Sequence, residues 1–271
     1  MNLIDFNSPL WEIYKGAYGS VKEDIIALTS EKQLFYKKNE NSDYYIAFEN
    51  LFENLSHQMS FYNATYITLP YIVALLEQYE NNFLEQFYII SNVGYCIATD
   101  IPENHSKEDK IEQSILDNYK KSFFILQQKT KKFLFEHMEL LNQMSFTEKS
   151  EFCTSILAIL GDKYFAYILI LSAWDIFYIL CDNCEYCDEE LSFSFSNKQE
   201  LSQITPATYQ LNEWDNISFN DTFVWLSNVL SILGEEHLVK ILSYYCGTYT
   251  CPRCGNQKKV IDFIKNYFEN G

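Results

Sequence analysis

Ser145-Phe146-Thr147-Glu148-Lys149-Ser150-Glu151-Phe152-Cys153-Thr154-Ser155-Ile156-Leu157-Ala158-Ile159-Leu160-Gly161 carries the start, the stripe and the stop of one α-helix. Ser145-x-x-Glu148 is a capping box, in which the serine hydroxyl and the glutamate carboxylate each satisfy an unpaired amide of the first turn. Phe152, Ile156, Ile159 and Leu160 fall at 0, 4, 7 and 8, one face of a helix. Gly161-Asp162-Lys163 then interrupts the pattern. The same grammar extends outward in both directions. Tyr45, Phe48, Phe52 and Leu55 fall at 0, 3, 7 and 10, as do Phe223, Leu226, Leu230 and Leu233. Ser8-Pro9 places an N-cap before a proline at the first helical position, and Ser20-x-x-Glu23 is a second capping box. A long helix is predicted from Glu108 to Leu141, with Phe123, Leu126, Phe133 and Leu140 on one stripe. Breaks are expected at Lys38–Asn41, Ile101–Lys107 and Gln143–Ser145.

Composition agrees with an all-α fold. The chain has 271 residues with 8 Gly and 5 Pro, about 5% together against an average of roughly 12%. Few turn-formers mean few connections and long elements, which excludes sandwiches, barrels and Gly-rich nucleotide-binding sheets. Hydrophobic residues at 48% and charged residues at 21% describe a globular chain, expected here as a single helical-repeat domain over 1–271. One block departs from the helical rhythm, from Cys181 to about Asn216. Within it, Leu191-Ser192-Phe193-Ser194-Phe195-Ser196 alternates apolar and polar, the pattern of one short strand.

Net charge is −17, and Arg253 is the only arginine. Phosphate tracking needs a positive field and base readout leans on arginine, so nucleic acid is not an expected partner. An anionic membrane surface is equally unfavourable. The start, Met1-Asn2-Leu3-Ile4-Asp5-Phe6-Asn7, has neither the basic nor the apolar region of a secretory signal. The apolar run Tyr164–Trp174 covers eleven residues, where roughly 20 are needed to span a bilayer. A cytoplasmic location is expected.

Of the eight cysteines, four make two knuckles. Cys251-Pro252-Arg253-Cys254-Gly255 is a C-P-x-C-G turn, which lets two thiolates and several backbone amides face one metal. Cys184-Glu185-Tyr186-Cys187 supplies the other half. The 63 residues between Cys187 and Cys251 far exceed the roughly 15–20 of a compact zinc ribbon, so the fold itself has to bring the halves together. Cys181-x-x-Cys184 is a competing pairing. We favour 184/187 because a turn and a strand come directly after it, whereas Cys181 is expected to end an apolar helix. The expected cofactor is a structural Zn²⁺ on Cys184, Cys187, Cys251 and Cys254, stapling a subregion made of 181–216 and 246–258. Free thiols are the bland alternative. Cys96 and Cys153 lie in apolar helical surroundings, as core thiols do.

No catalytic constellation is recognisable. The four histidines, His57, His105, His137 and His237, form no H-E-x-x-H. His137 continues the stripe of Phe133 and Leu140, as a core histidine would. His57, in Leu55-Ser56-His57-Gln58, is placed to cap helix carbonyls or to face a ligand. There is no G-x-S-x-G and no P-loop, and acid pairs such as Glu235-Glu236 mean little in so acidic a chain. The protein is not expected to be an enzyme.

Two stretches together carry a family resemblance. Asn63-Ala64-Thr65-Tyr66-Ile67-Thr68-Leu69-Pro70-Tyr71-Ile72-Val73-Ala74-Leu75-Leu76 resembles the first helix of a HEAT repeat, kinked at its proline. Phe52-Glu53-Asn54-Leu55-Ser56-His57-Gln58 is similar to the H-Q segment that precedes this helix in a group of bacterial HEAT-repeat-like proteins, with Met59-Ser60 in place of the glycine expected next. Leu226–Gly234, Leu238–Gly247 and the Cys251–Gly255 knuckle resemble that group's ending. The resemblance implies a HEAT-like helical-hairpin solenoid. Because some of these proteins look like immunity partners of polymorphic toxins, it also implies a protein inhibitor of a basic toxin domain. A zinc-stabilised adaptor is the alternative. Asp182, Glu185, Asp188, Glu189 and Glu190 form the densest acidic stretch, either a partner-facing edge or a solvated loop. Leu10, Trp11, Tyr14 and Tyr18 are helically spaced, as a cap on the first repeat would be.

Overall fold

The computed structural model describes residues 1–30, 42–102, 111–174, 178–195, 211–212 and 221–270; the side chains of 172–182, 191–195, 211–212, 221 and 270 lie outside that description. The chain is mostly helical and folds as two compact units, 1–140 and 141–271.

The first unit is built on α1 (Leu10–Ile13), α2 (Lys22–Ser30), α3 (Asp43–Ser56), a 3₁₀ turn (His57–Met59), α4 (Ala64–Gln78), α5 (Phe83–Ala98) and α6 (Gln113–Asn142, whose end reaches the second unit). α4 is its centre: every residue from Ala64 to Val73 is buried, as befits a helix apolar all round. Pro70 sits inside it, where the missing amide removes one rung of the helical ladder. The Tyr44 hydroxyl, from α3, donates to the Leu28 carbonyl and meets the Tyr79 hydroxyl, tying α2, α3 and the end of α4 through buried polar groups. The first helix is shorter than expected. It is a single turn that begins after Pro9, with Ser8 Oγ accepting from the Leu10 amide at 3.3 Å. Trp11 and Tyr14 are buried, while Tyr18 lies beyond that turn and is exposed. At α2, Ser20 Oγ accepts from Lys22, two residues on, and the helix begins at Lys22.

α6 starts at Gln113, and the residues 103–110 ahead of it lie outside the description. Leu126 and Phe133 are buried as expected, but Leu140 is exposed and Leu141 buried. Leu134, next to Phe133, is also buried, and Leu141 lies two turns beyond it, so the stripe follows Leu134 and not Phe133. His137, with φ −127° and ψ 18°, departs from helical backbone between them. Its ring packs on Phe133 and Phe83.

The second unit contains α7 (Phe146–Leu160), α8 (Lys163–Trp174), β1 (Tyr178–Asn183), β2 (Glu190–Phe195), β3 (Leu211–Asn212), α9 (Asp221–Ile232), α10 (Glu236–Tyr245), β4 (Thr248–Thr250), β5 (Gln257–Lys259) and α11 (Val260–Asn270). The Ser145 capping box is closed in both directions. Phe152, Ile156, Ile159 and Leu160 are buried, and so are Phe223, Leu226, Leu230 and Leu233. Asp162, itself buried, caps α8 by accepting from the amides of Tyr164 and Phe165, and it pairs with Lys265 of α11 at 3.1 Å. Phe268 of α11 stacks on Tyr164.

Two expectations need correction. Cys181 does not end an apolar helix: α8 is Lys163–Trp174, and Cys181 lies in β1, opposite Ser192 of β2. The irregular block also holds more than one strand, because β1–β2 form an antiparallel pair and β3–β4–β5 a second small sheet. Alternation along Leu191–Phe195 is visible in sequence, whereas Tyr-Ile-Leu-Cys-Asp-Asn at 178–183 does not alternate and comes soon after an apolar helix. Ser196 and most of the block beyond it lie outside the described residues.

Among the described residues, no helix is long and apolar enough to cross a membrane.

Candidate metal centre

Each knuckle is the tight turn of a β-hairpin. β1 and β2 flank Cys184–Cys187, with Asn183 opposite Glu190; β4 and β5 flank Cys251–Cys254, with Thr250 opposite Gln257. The two turns share two backbone bonds. The Cys184 amide donates to the Glu189 carbonyl at 2.7 Å, and the Cys251 amide to the Asn256 carbonyl at 2.9 Å, five residues on in both cases. The Asp188 amide donates back to Cys184 O at 2.9 Å, and the Gly255 amide back to Cys251 O at 3.0 Å. Asp188 and Gly255, at the equivalent position, both have positive φ, 55° and 74°. Asp188 therefore does in the first knuckle what glycine does in the second, which sequence reading missed because Asp is only an occasional left-handed residue.

That equivalence has a measurable consequence. Asp188→Gly is expected to leave metal binding intact and to stabilise the second unit by about 0.5–1 kcal/mol, since glycine adopts this backbone without strain. Asp188→Val is expected to lower the melting temperature. Calorimetry of the three proteins checks both.

The hairpins bring the four sulfurs together, all within 4.8 Å of one another. Cys184 Sγ is 3.8 Å from Cys254 Sγ, and Cys187 Sγ is 3.6 Å from Cys251 Sγ. Cys184 and Cys251 are buried, Cys187 is half-buried and Cys254 is exposed. Among the described residues this is the one group of three or more Cys, His, Asp or Glu side chains placed to hold a metal ion. The amides of Cys254 and Arg253 turned toward Cys251, with the neighbouring thiols, lower its thiol from the ordinary cysteine value. The Asn256 side-chain amide lies 3.4 Å from Cys254 Sγ.

Four contacts from two cations lace the knuckles together. Arg253, the chain's only arginine, donates to the Cys187 carbonyl at 3.2 Å and lies 3.6 Å from the Glu189 carboxylate. Lys258 pairs with Glu185 and sits over the Tyr186 ring, 5.1 Å from its centroid. Of the acidic stretch, Glu185 and Glu189 are therefore engaged by cations of the other knuckle. Asp188 and Glu190 are not buried, and the side chain of Asp182 lies outside the described residues, as does that of Cys181. Sequence reading did not single out Arg253 or Lys258 as partners of these acids. A lone arginine between two ligating cysteines was the available signal.

Among the described residues, the remaining titratable groups do not converge on a second ligand set. Cys96 and Cys153 are buried, and burial pushes both thiols up. His57 caps no carbonyl through its ring; it pairs with Glu53 and meets the Tyr18 hydroxyl.

Sequence reading also passed over Glu235 and His237. Glu235 is fully buried, its Oε2 3.4 Å from His237 Nδ1, and neither side chain has a hydrogen-bond partner. Lys149 and Cys153 of α7 face Glu235, and the Phe146 ring lies against His237. Burial raises the Glu235 carboxyl and lowers the His237 imidazole from their ordinary values. A raised carboxyl destabilises the fold above its native pKa, and that penalty fades as pH falls toward the unfolded value near 4.3. Glu235→Gln is thus expected to stabilise the second unit by about 1–2 kcal/mol at pH 8, with the gain shrinking toward pH 5. Melting curves of both proteins across that range check it.

Comparison with known proteins adds no relative: no protein-family model, curated protein or solved structure matches the chain.

Proposed function

We propose that the protein is a zinc-stapled helical binding protein of HEAT-like architecture, which neutralises a basic protein partner by direct contact. A toxin domain delivered by a neighbouring cell is the favoured partner. The convergence of four cysteines carries the reading. In a tetrahedral site with Zn–S bonds of about 2.3 Å, sulfurs lie about 3.8 Å apart, and the paired sulfurs here are separated by 3.6 and 3.8 Å. Four thiolates fill the coordination sphere and leave no position for water or substrate, so the metal's role is to hold two hairpins and not to catalyse. Iron takes the same donor set, and metal analysis separates the two.

The rest of the reading comes from surface and resemblance. A chain of net charge −17 steers toward cations and away from phosphates. The H-Q stretch resembles a segment whose next residue is glycine. Here that residue is Met59, with a φ of 64°, the backbone that glycine favours.

The test is capture with the tagged protein from lysate of its own source, washed at low and then high salt. A single stoichiometric basic protein whose own activity is lost in the complex is the expected result. Several weak partners with no activity blocked would favour an adaptor instead.

A further inference from the structure

We infer that the outer face of α3, with Tyr18 laid over its C-terminal end, is where the basic protein partner docks. The inference rests on the binding reading above and locates its surface. Ile46, Glu49, Asn50, Glu53 and His57 fall at 0, 3, 4, 7 and 11, a single strip about 16 Å long at 1.5 Å per residue. Glu49, Asn50 and Glu53 are exposed, and Ile46 is 44% exposed. Tyr18, at 66%, is among the more exposed large side chains of the unit, with its hydroxyl 3.0 Å from His57 Nδ1.

Its loop is fixed in place. The Tyr18 amide donates to Asn54 Oδ1 at 2.8 Å, and the Ala17 amide to Asn54 O at 2.9 Å. Gly16 approaches α3 so closely that a Cβ there would stand 2.6 Å from Asn54 O. A rigid exposed tyrosine loses little conformational freedom on binding, the property of an interface anchor.

Charge selects the partner. Glu49 and Glu53 stand one turn apart on the strip, both exposed; burial and then Glu53 raise the Glu49 carboxyl. These like charges crowd one another. Among the described residues, the lysine–carboxylate pairs of this unit lie elsewhere, joining Lys129 and Lys132 to Glu77, Glu80 and Glu136. A lysine- or arginine-rich surface would relieve the crowding while its apolar atoms cover Tyr18 and Ile46. Glu185 and Glu189 at the knuckles, by contrast, already have Lys258 and Arg253.

The test uses egg-white lysozyme as a basic probe, titrated into ¹⁵N-labelled protein at low salt. The largest amide shifts are expected at Tyr18, Ile46, Glu49 and Glu53. Affinity should fall about fivefold or more for Glu49→Lys, and by less than about twofold for Glu190→Lys, each of which reverses one charge and leaves Asp188 in its turn. Glu49 and Glu190 are both exposed, so both variants should keep the fold, which circular dichroism verifies. Shifts centred on the knuckles, or equal losses in the two variants, would overturn the inference. With a captured partner, binding lost in the knuckle variant and kept in the α3 variant would overturn it while leaving the binding reading in place. Failure to capture any basic protein would count against the binding reading, and the lysozyme titration would still decide which face prefers cations.

Discussion

Cys251→Ser is expected to strip the metal and to unfold the knuckle region, lowering the melting temperature by about 10 °C or more. Cys251 is 1% exposed and contributes one of two thiolates from its hairpin. A serine hydroxyl stays protonated at neutral pH and is a poor ligand for a thiophilic metal. Binding of structural zinc by small thiolate modules provides about 10–16 kcal/mol, and where the site forms only in the folded chain that free energy adds to folding. The two halves are separated by 63 residues, so losing the staple also releases a long loop. Metal content should fall from about one ion per chain to near zero, read by elemental analysis beside calorimetry. Cys96→Ser is the control: it disturbs a buried thiol of the first unit, 3.3 Å from Ser56 Oγ, and should leave the metal in place.

Asp162→Ala is the second large effect, expected to destabilise the second unit by about 2–4 kcal/mol without loss of metal. The carboxylate caps α8 through two amides and holds Lys265 of α11, and burial and Asp162 raise the phenol of neighbouring Tyr245. Alanine leaves the amides of Tyr164 and Phe165 without that acceptor and frees α11 from its anchor. Asp162→Asn should recover part of the cap but not the ion pair, and so fall between the two. Thermal melts with parallel metal analysis distinguish this packing effect from damage at the metal centre.

These two sites show what sequence reading could reach. The cysteines were legible because the C-P-x-C-G turn has few alternative uses, and the second half was identifiable as Cys184-x-x-Cys187 by the turn and alternating strand after it. Gly161-Asp162-Lys163 was legible as a break, but the cap and the bond to Lys265 were not, since the partner lies about a hundred residues away. Helical stripes in α7 and α9 were readable because their spacing persists over several turns. In α6 the stripe ends on Leu141 and not Leu140, because Phe133 and Leu134 are both buried and spacing alone does not say which of the two the next turn follows. β1 was hidden because a short apolar run after an apolar helix looks the same in either state. Asp188 was hidden for a related reason: its left-handed backbone shows only when the two knuckles are superposed bond by bond.

The central claim is that two distant hairpins close around one structural metal. X-ray absorption at the metal edge of the purified protein tests it most directly. Zinc with four sulfur neighbours at about 2.3 Å, and no nitrogen or oxygen bound to the metal, is the result expected. A preparation without metal that melts as high as the metal-loaded protein, or a coordination sphere containing water oxygen, would contradict it.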